Sequence, residues 1–197
     1  MTPEEAVDAV LTRLAARPPP ASTYRLQLRP GFDFRAAAEL CPYLADLGIS
    51  HLYLSPIFEA TPGSEHGYDV VDHNVIRHEL GGEAGFAALV AACTEHGLEI
   101  LLDFVPNHMG IGTHNPWWQD VLENGPSSVY APTFDIDWRP MKTELANKVL
   151  VPTLGDQFGA VLERGELQLQ RVGGAFQVRY HEHVFPVAPR ALSLIHI

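Results

Sequence analysis

Strand-like and helix-like segments alternate through the first half of the chain, and this alternation limits the folds open to it. Apolar runs rich in β-forming residues occupy 23–28, 51–55 and 98–104. Amphipathic helical patterns lie between them, one beginning at Asp33 and the other spanning 83–96. Short connections in this order require parallel strands joined by right-handed crossovers. The predicted fold class is therefore α/β.

Two further patterns refine this prediction. The helix that begins at Asp33 carries an apolar stripe as far as Gly48, but Pro42 lies inside it. Because proline lacks an amide donor and its ring clashes with the preceding turn, we expect Pro42 to kink or shorten the helix. The polar segment 56–82, which contains glycine and proline, is predicted to be a long loop.

Polar side chains follow the second and third predicted strands. Asp103, Asn107 and His108 come at the end of the third strand, and His66, Tyr68, Asp69 and Asp72 belong to the loop after the second. The carboxyl ends of neighbouring parallel strands share one edge, so we expect these side chains to line one pocket. An aromatic ring beside carboxylates and imidazoles suits a sugar, whose C–H face stacks while its hydroxyls hydrogen-bond.

Composition excludes several classes of function. Hydrophobic residues make up 46% of the 197 residues and charged residues 19%, enough for a packed core. The net charge of −11, without a basic run, disfavours nucleic-acid binding. No run of 18 apolar residues and no secretory leader is present, so we expect a cytoplasmic protein that does not associate with membranes. Cys41 and Cys93 fall on apolar helix faces, which predicts buried free thiols.

The alternation stops after residue 108. Irregular, proline-bearing sequence follows, and residues 167–172 and 175–180 flank a Gly-Gly pair that predicts a β-hairpin. We therefore predict three parts: an amino-terminal helix with a proline-rich spacer at 1–20, three βα units at 21–108, and a truncated irregular and β-rich inserted subdomain at 109–197. Thr2 and Glu5 predict a capping box at the first helix.

Several short segments of the chain together point to a known family. Asp103 to His108 reads Asp-x-x-x-Asn-His. The other segments are Ser22-Thr-Tyr-Arg-Leu-Gln27, Leu54-Ser-Pro56, Pro62 to Asp72, Glu79-Leu-Gly-Gly82, Asn115-Pro-Trp-Trp118, Leu122-Glu-Asn-Gly-Pro126 and Phe134-Asp-Ile-Asp-Trp138. The first is similar to the signature of the α-amylase superfamily (glycoside hydrolase family 13), and the combination resembles its maltooligosyltrehalose synthase family.

The resemblance implies a (β/α)8 TIM barrel, of which this chain would hold the first three βα units. It implies an enzyme that rearranges the reducing-end α-1,4 linkage of a maltooligosaccharide into an α,α-1,1 linkage, without a cofactor or a metal. Tyr68 would stack under the sugar, His108 would bond its hydroxymethyl group, Asp103 would orient the rim and Asn107 would fix the loop. A trehalose-releasing hydrolase of the same pathway would be the functional partner.

The reacting carboxylates are not among the matched residues. A retaining transfer needs two carboxyl groups about 5 Å apart, and the resemblance assigns them to later strands. We therefore assign no catalytic residue, expect the nucleophile and acid/base beyond residue 197, and expect the chain to be inactive alone. Two alternatives remain: an α-glucan hydrolase of the same superfamily, and a non-catalytic glucan-binding module.

Other residues have structural interpretations of equal weight. Asp69 and Asp72 could cap turns or pair with Arg25 or Arg77. Trp117, Trp118 and Trp138 could bind an acceptor sugar or pack the inserted subdomain.

Overall fold

A computed structural model describes residues 2–15 and 19–188. The chain divides into two compact units, Met1–Met109 and Gly110–Ile197. Residues 16–18, which include Arg17 and Pro18 of the predicted proline-rich spacer, and residues 189–197 lie outside the described residues.

The helices and strands of the first unit are α1 Pro3–Ala15, β1 Thr23–Leu26, α2 Phe34–Glu39, α3 Cys41–Asp46, β2 His51–Leu54, β3 Phe58–Ala60, β4 Val70–Ile76, the 3₁₀ turn His78–Leu80, α4 Gly82–Glu95 and β5 Glu99–Leu102.

The predicted parallel sheet is confirmed. Strands β1, β2 and β5 form it in that order, with Thr23 opposite His51 and His51 opposite Glu99. Helices α2 and α3 connect β1 to β2, and α4 precedes β5. The third strand is shorter than predicted, because it ends at Leu102 and leaves Asp103 as the first residue of the loop.

The effect expected of Pro42 is also confirmed. Two helices, α2 and α3, replace one continuous helix. Leu40 is the C-cap of α2 and the N-cap of α3. Asp33 begins α2, since its Oδ1 accepts the Ala36 amide at 2.9 Å. The capping box of α1 forms between Thr2 and Glu5, but no residue of that helix is buried.

The prediction of a long loop over 56–82 is wrong. Strands β3 and β4 pair antiparallel within it, with Ala60 opposite Val70 and Phe58 opposite Ile76. The β-branched residues of β4 are interrupted by a polar stretch, Asp72 to Asn74, which hid the strand in the sequence. The hairpin matters for the site because its connection, residues 61–69 (the 61–69 loop), carries three of the predicted site residues.

The core of the first unit lies between the sheet and its helices. Leu52 and Leu54 of β2 are fully buried there, as is Phe34 of α2, whose ring meets Phe86 of α4 edge to face at 5.5 Å between centroids. Cys41 and Cys93 join this core as free thiols, as predicted, with their sulfur atoms 3.8 Å apart.

The two thiols are expected to be unreactive in the folded chain. Burial raises the pKa of Cys93 to about 12 and also raises the pKa of Cys41. Since the thiolate is the nucleophile, a disulfide reagent such as DTNB at pH 8 should modify neither residue until denaturant is added, after which two thiols per chain should react. Rapid modification of either cysteine before denaturation would contradict this packing.

The helices and strands of the second unit are α5 Pro116–Asn124, the 3₁₀ turns Gly125–Ser127, Ala131–Thr133 and Thr143–Leu145, α6 Phe158–Glu163, β6 Gln168–Val172, β7 Ala175–Tyr180 and β8 His183–Pro186.

The predicted hairpin of the second unit is confirmed, and a third strand extends it. Strand β6 pairs with β7 around Gly173 and Gly174, both at positive φ, and β8 pairs with the other edge of β7. The sequence did not reveal β8 because it has only four residues and ends in Pro186.

The tryptophans of α5 make packing contacts within the second unit. Trp118 is buried and meets Phe134 edge to face at 5.1 Å, while the Trp117 ring stacks on Tyr130 at 5.2 Å. Asn115 begins this helix by accepting the amides of both tryptophans at 3.0 Å. These contacts favour the packing interpretation for Trp117 and Trp118.

Within residues 2–15 and 19–188, no helix combines the length and the hydropathy that a bilayer-spanning segment requires.

Candidate functional site

The side-chain alternation of β1 and β2 separates the core from the candidate site. Leu26 faces the helices and is buried in the core, so Arg25 lies on the opposite face of the sheet. Tyr53 of β2 lies on that same face, where the Arg25 guanidinium carbon is 4.8 Å from its ring centroid. The sheet thus presents polar and aromatic groups on the side away from its helices.

Asp103 is the centre of this cluster. Its Oδ2 accepts hydrogen bonds from the Tyr68 hydroxyl at 2.5 Å, from the Tyr53 hydroxyl at 3.2 Å and from Arg25 Nη1 at 3.2 Å. Only 10% of the Asp103 side chain is exposed. One carboxylate oxygen is therefore bonded from three directions and paired with a guanidinium, which fixes its orientation.

These contacts change the acidity of two groups. The hydrogen bond to Asp103, with burial, raises the pKa of Tyr68, although Arg25 lowers it in part. Burial lowers the pKa of Arg25, but Tyr68 and Asp103 outweigh burial and raise it overall. Tyr68 consequently stays a neutral hydrogen-bond donor at neutral pH, and Arg25 stays charged.

His66 and Asp69 lie beside Tyr68 in the 61–69 loop. The His66 ring is 6.1 Å from that of Tyr68, with 23° between their planes. Its Nδ1 accepts the Tyr68 amide at 3.0 Å, so this nitrogen has no proton to share with Asp69, which is 3.7 Å away. Asp69 instead accepts the Ser64 hydroxyl at 2.5 Å.

The aspartates of this hairpin do not make the pairs considered from the sequence. Asp72 lies within β4 and accepts the amide of Asn74, two residues later, at 2.8 Å. The partner of Arg25 is Asp103, and the partner of Arg77 is Glu79. Asp69 and Asp72 therefore contact residues close to them in sequence and not a distant arginine.

Asn107 and His108 lie in the loop after Asp103 and are exposed. The Nδ1 of His108 is 2.8 Å from Asn107 Oδ1, and because an amide oxygen can only accept, this nitrogen donates. The other nitrogen of the His108 ring is left for another partner. The structure brings Tyr68 into contact with Asp103 but leaves Asn107 and His108 facing solvent.

Arg77 and Glu79 hold the base of the 61–69 loop. Arg77 is fully buried; its Nη2 donates to the Ser64 carbonyl at 2.8 Å and its Nε to Glu79 Oε2 at 3.1 Å. Glu79 Oε1 accepts the Gly63 amide at 3.0 Å. The hydrogen bonds from Arg77 and Gly63 lower the pKa of Glu79. The loop that carries Tyr68 is thus tied to an ion pair between a buried arginine and an exposed glutamate.

A narrow cleft adjoins the Tyr68–Asp103 contact. It is lined by Pro56, Phe58, Tyr68, Val70, His73, Asp103, Phe104 and Val105. His73 contributes a buried Nε2 that has no hydrogen-bond partner among the described residues, and burial lowers the pKa of this histidine. Phe104 is 55% exposed, which leaves an apolar surface next to these polar groups.

Sequence reasoning missed Arg25 and Tyr53 as members of the site. The available signal was the alternation itself: Tyr53 stands between Leu52 and Leu54, and Arg25 comes directly before Leu26 in β1. His73 gave no such signal, because it was placed in a predicted loop.

A larger apolar groove of about 670 Å³ lies within the second unit. Its lining is mostly apolar and includes Leu154, Phe158, Leu169 and Phe185. It lacks the convergent polar groups that a sugar requires, so it is not the candidate site. In the described ranges, no group of three histidine, cysteine, aspartate or glutamate side chains is arranged to hold a metal ion.

Parallel βα units with polar side chains gathered at the carboxyl ends of their strands are the arrangement found in βα-barrel enzymes. Comparison with known families agrees. The family described as Alpha amylase, catalytic domain matches residues 32–162, and the chain belongs to this family.

Individual relatives are more specific. A protein of Mycobacterium tuberculosis named as a maltooligosyl trehalose synthase is 44% identical over 87% of this chain. The solved maltooligosyltrehalose synthase of Arthrobacter ramosus is 45% identical, with a TM-score of 0.75, over 86% of this chain and 21% of its own. An intracellular maltogenic amylase of Bacillus subtilis is 40% identical over 56% of this chain and 18% of its own length. The chain spans 22% of the length of the Mycobacterium tuberculosis relative.

Proposed function

We propose that this chain forms the sugar-holding wall of an enzyme that converts the reducing-end α-1,4 linkage of maltooligosaccharides into an α,α-1,1 linkage, by retaining intramolecular transglucosylation. The observation that carries the proposal is the Tyr68–Asp103 contact at the strand ends of the sheet. The proposal is supported by the 44% identity to the Mycobacterium tuberculosis protein that is named as a maltooligosyl trehalose synthase. The three βα units would then be the first part of a (β/α)8 barrel, with residues 109–197 as its inserted subdomain.

Each predicted site residue has a role that its surroundings permit. Tyr68, half-buried and oriented by Asp103, would stack under a glucose ring. His108 would bond the hydroxymethyl group of that sugar through the nitrogen that Asn107 leaves unused, while Asn107 fixes the ring. His66 and Asp69 would line the same subsite from the 61–69 loop.

The chain would hold a sugar without breaking the glycosidic bond. A retaining transfer needs a second carboxyl group about 5 Å from the first. The groups that contact the Asp103 carboxylate are two phenols and a guanidinium. We therefore expect no turnover by this chain alone. A trehalose-releasing hydrolase as functional partner and a cytoplasmic location remain predictions.

A chimera tests the activity. Residues 22–188 would replace the matching segment of the Mycobacterium tuberculosis relative, with that intact relative as the control. Incubation with maltopentaose should lower the concentration of reducing ends without releasing glucose or maltose. A rise in reducing ends would instead identify an α-glucan hydrolase, and a folded but inactive chimera would favour a binding module.

Replacement of Tyr68 by alanine should weaken maltopentaose binding by about tenfold, because the stacking surface is lost. Isothermal titration calorimetry on this chain measures the change. The matched control is Tyr43→Ala, which removes a tyrosine that is 61% exposed on α3 and should leave the affinity unchanged. Equal affinities for the Tyr68→Ala variant and the unmodified chain would remove Tyr68 from the site.

A further inference from the structure

Strand β1 and the residue that directly follows it supply two polar side chains to which the proposed function gives no role. Arg25 and Gln27 alternate along the chain with Leu26 and Leu28, which are both buried in the core. Arg25 and Gln27 therefore lie on the face that carries the candidate site. Both belong to the Ser22 to Gln27 segment that contributed to the family resemblance.

Arg25 bridges the two residues at the centre of the site. Its Nη2 donates to the Tyr68 hydroxyl at 3.0 Å, while its Nη1 donates to Asp103 at 3.2 Å. The Tyr68 hydroxyl donates a hydrogen bond to Asp103 and accepts one from Arg25. The three side chains therefore form one hydrogen-bonded cluster. The flat guanidinium rests over the Tyr53 ring, which limits its movement.

Gln27 links Arg25 to the backbone that carries Tyr68. Its Oε1 accepts from Arg25 Nη2 at 3.3 Å. Its Nε2 lies 3.4 Å from the Glu65 carbonyl and 3.3 Å from the His66 carbonyl. These bonds are long and individually weak, but they reach the two residues of the 61–69 loop that precede Gly67 and Tyr68.

We propose that Arg25 and Gln27 are positioning residues for Tyr68: Arg25 fixes the phenol, and Gln27 fixes the loop backbone behind it. The plane of the Tyr68 ring is then set before a sugar binds, which lowers the entropy lost on binding. The identity of the sugar rests on the proposed function, whereas the restraint of Tyr68 does not.

Nuclear magnetic resonance of chains labelled with ¹³C at tyrosine Cζ tests the Arg25 contact directly. The chain has six tyrosines, and the Tyr68→Phe variant assigns the signal of Tyr68. Arg25 lowers the pKa of Tyr68, so Arg25→Gln should shift the Tyr68 titration to higher pH. Arg29→Gln is the control: it removes the same charge nearby, from a residue whose ion-pair partner is the exposed Glu65 at 3.6 Å, and should leave the titration unchanged.

A second pair of variants separates positioning from folding. Arg25→Lys keeps the charge but cannot bridge Tyr68 and Asp103 with a planar fork, so the Tyr68 Cζ signal should still move at pH 7. Gln27→Ala should speed hydrogen exchange at the amides of Gly67 and Tyr68 by about fivefold, with the rest of the sheet unchanged. If Arg25→Gln does not fold, these two variants decide the question.

Maltopentaose affinity provides the functional measurement. Arg25→Gln and Gln27→Ala should each weaken binding by about fivefold, while Arg29→Gln should not. The positioning role would be overturned by an unchanged Tyr68 Cζ signal in Arg25→Lys together with unchanged amide exchange at Gly67 and Tyr68 in Gln27→Ala. If the unmodified chain binds no maltopentaose but the Tyr68 signals shift as expected, positioning stands and the proposed sugar function fails.

Discussion

Replacement of Phe34 by alanine should lower the free energy of unfolding by about 4 kcal/mol, the middle of the range measured for truncations of buried aromatic residues. Phe34 is fully buried at the start of α2 and packs edge to face on Phe86 of α4. The backbone there is close: a Cβ built on Gly85 would lie 3.3 Å from the Phe34 ring. Helices that already approach so closely cannot move together to fill the space the ring leaves, so a cavity remains.

Urea unfolding followed by circular dichroism measures this loss, with the slope against urea concentration checked for constancy. Phe158→Ala is the matched control, because Phe158 is 62% exposed on α6 of the second unit. Its truncation should change the free energy of unfolding by less than about 0.5 kcal/mol. Similar losses for both variants would mean that Phe34 is not packed as described.

Glu79→Gln should destabilise the folded chain by about 2–3 kcal/mol, because it leaves the Arg77 charge buried without a counter-ion. Arg77 has no exposed surface, and its Nη1 has no hydrogen-bond partner among the described residues. This loss of stability is smaller than the loss expected when a fully buried ion pair is broken, because the Glu79 side chain is 36% exposed and solvent screens the interaction.

The same pair predicts a dependence on pH. The pKa of Glu79 is lowered in the folded chain, first by the hydrogen bond from Arg77 and then by the Gly63 amide. Its contribution to stability is therefore present above the ordinary value of 4.5 and is lost as the pH falls through the lower folded value. Thermal unfolding between pH 3 and pH 7 should show a smaller acid-dependent loss in Glu79→Gln than in the unmodified chain.

Glu59→Gln is the control for both measurements. Glu59 pairs with His78 at 2.8 Å, but the His78 side chain is 78% exposed, so this pair should contribute little. Since Arg77 and Glu79 hold Ser64 and Gly63, Glu79→Gln should also loosen the 61–69 loop and weaken maltopentaose binding. Unchanged stability and pH dependence in Glu79→Gln would show that Arg77 has another counter-ion in solution.

Local patterns were sufficient to predict the elements that form the first sheet. The spacing of apolar residues indicated three strands with helices between them, and Pro42 indicated the break between α2 and α3. These features depend on neighbours in sequence, which a single chain reveals. The β3–β4 hairpin escaped prediction because its register shifts at two positions and polar residues interrupt β4, so neither strand shows a regular alternation.

The candidate site was predicted in part for the same reason. Tyr68 and Asp103 were expected to share a pocket because each follows a parallel strand. Sequence alone could not show that Arg25 and Tyr53 contact the same carboxylate, since these residues lie 78 and 50 positions before Asp103. Nor could it show that Asp69 bonds to Ser64, because turn-capping and pairing with a distant arginine are equally compatible with its neighbours.

The sequence by itself determined the parallel arrangement, the strand-end position of Asp103 and the aromatic character of the site, because side-chain periodicity sets each of these locally. Only the tertiary structure decided that two phenols and a guanidinium meet at one oxygen of Asp103. That convergence depends on the register of β1, β2 and β5 and on the ion pair between buried Arg77 and Glu79, which holds the 61–69 loop. Contacts between residues so far apart are fixed by how strands align and cores pack, and no short segment of the chain encodes either.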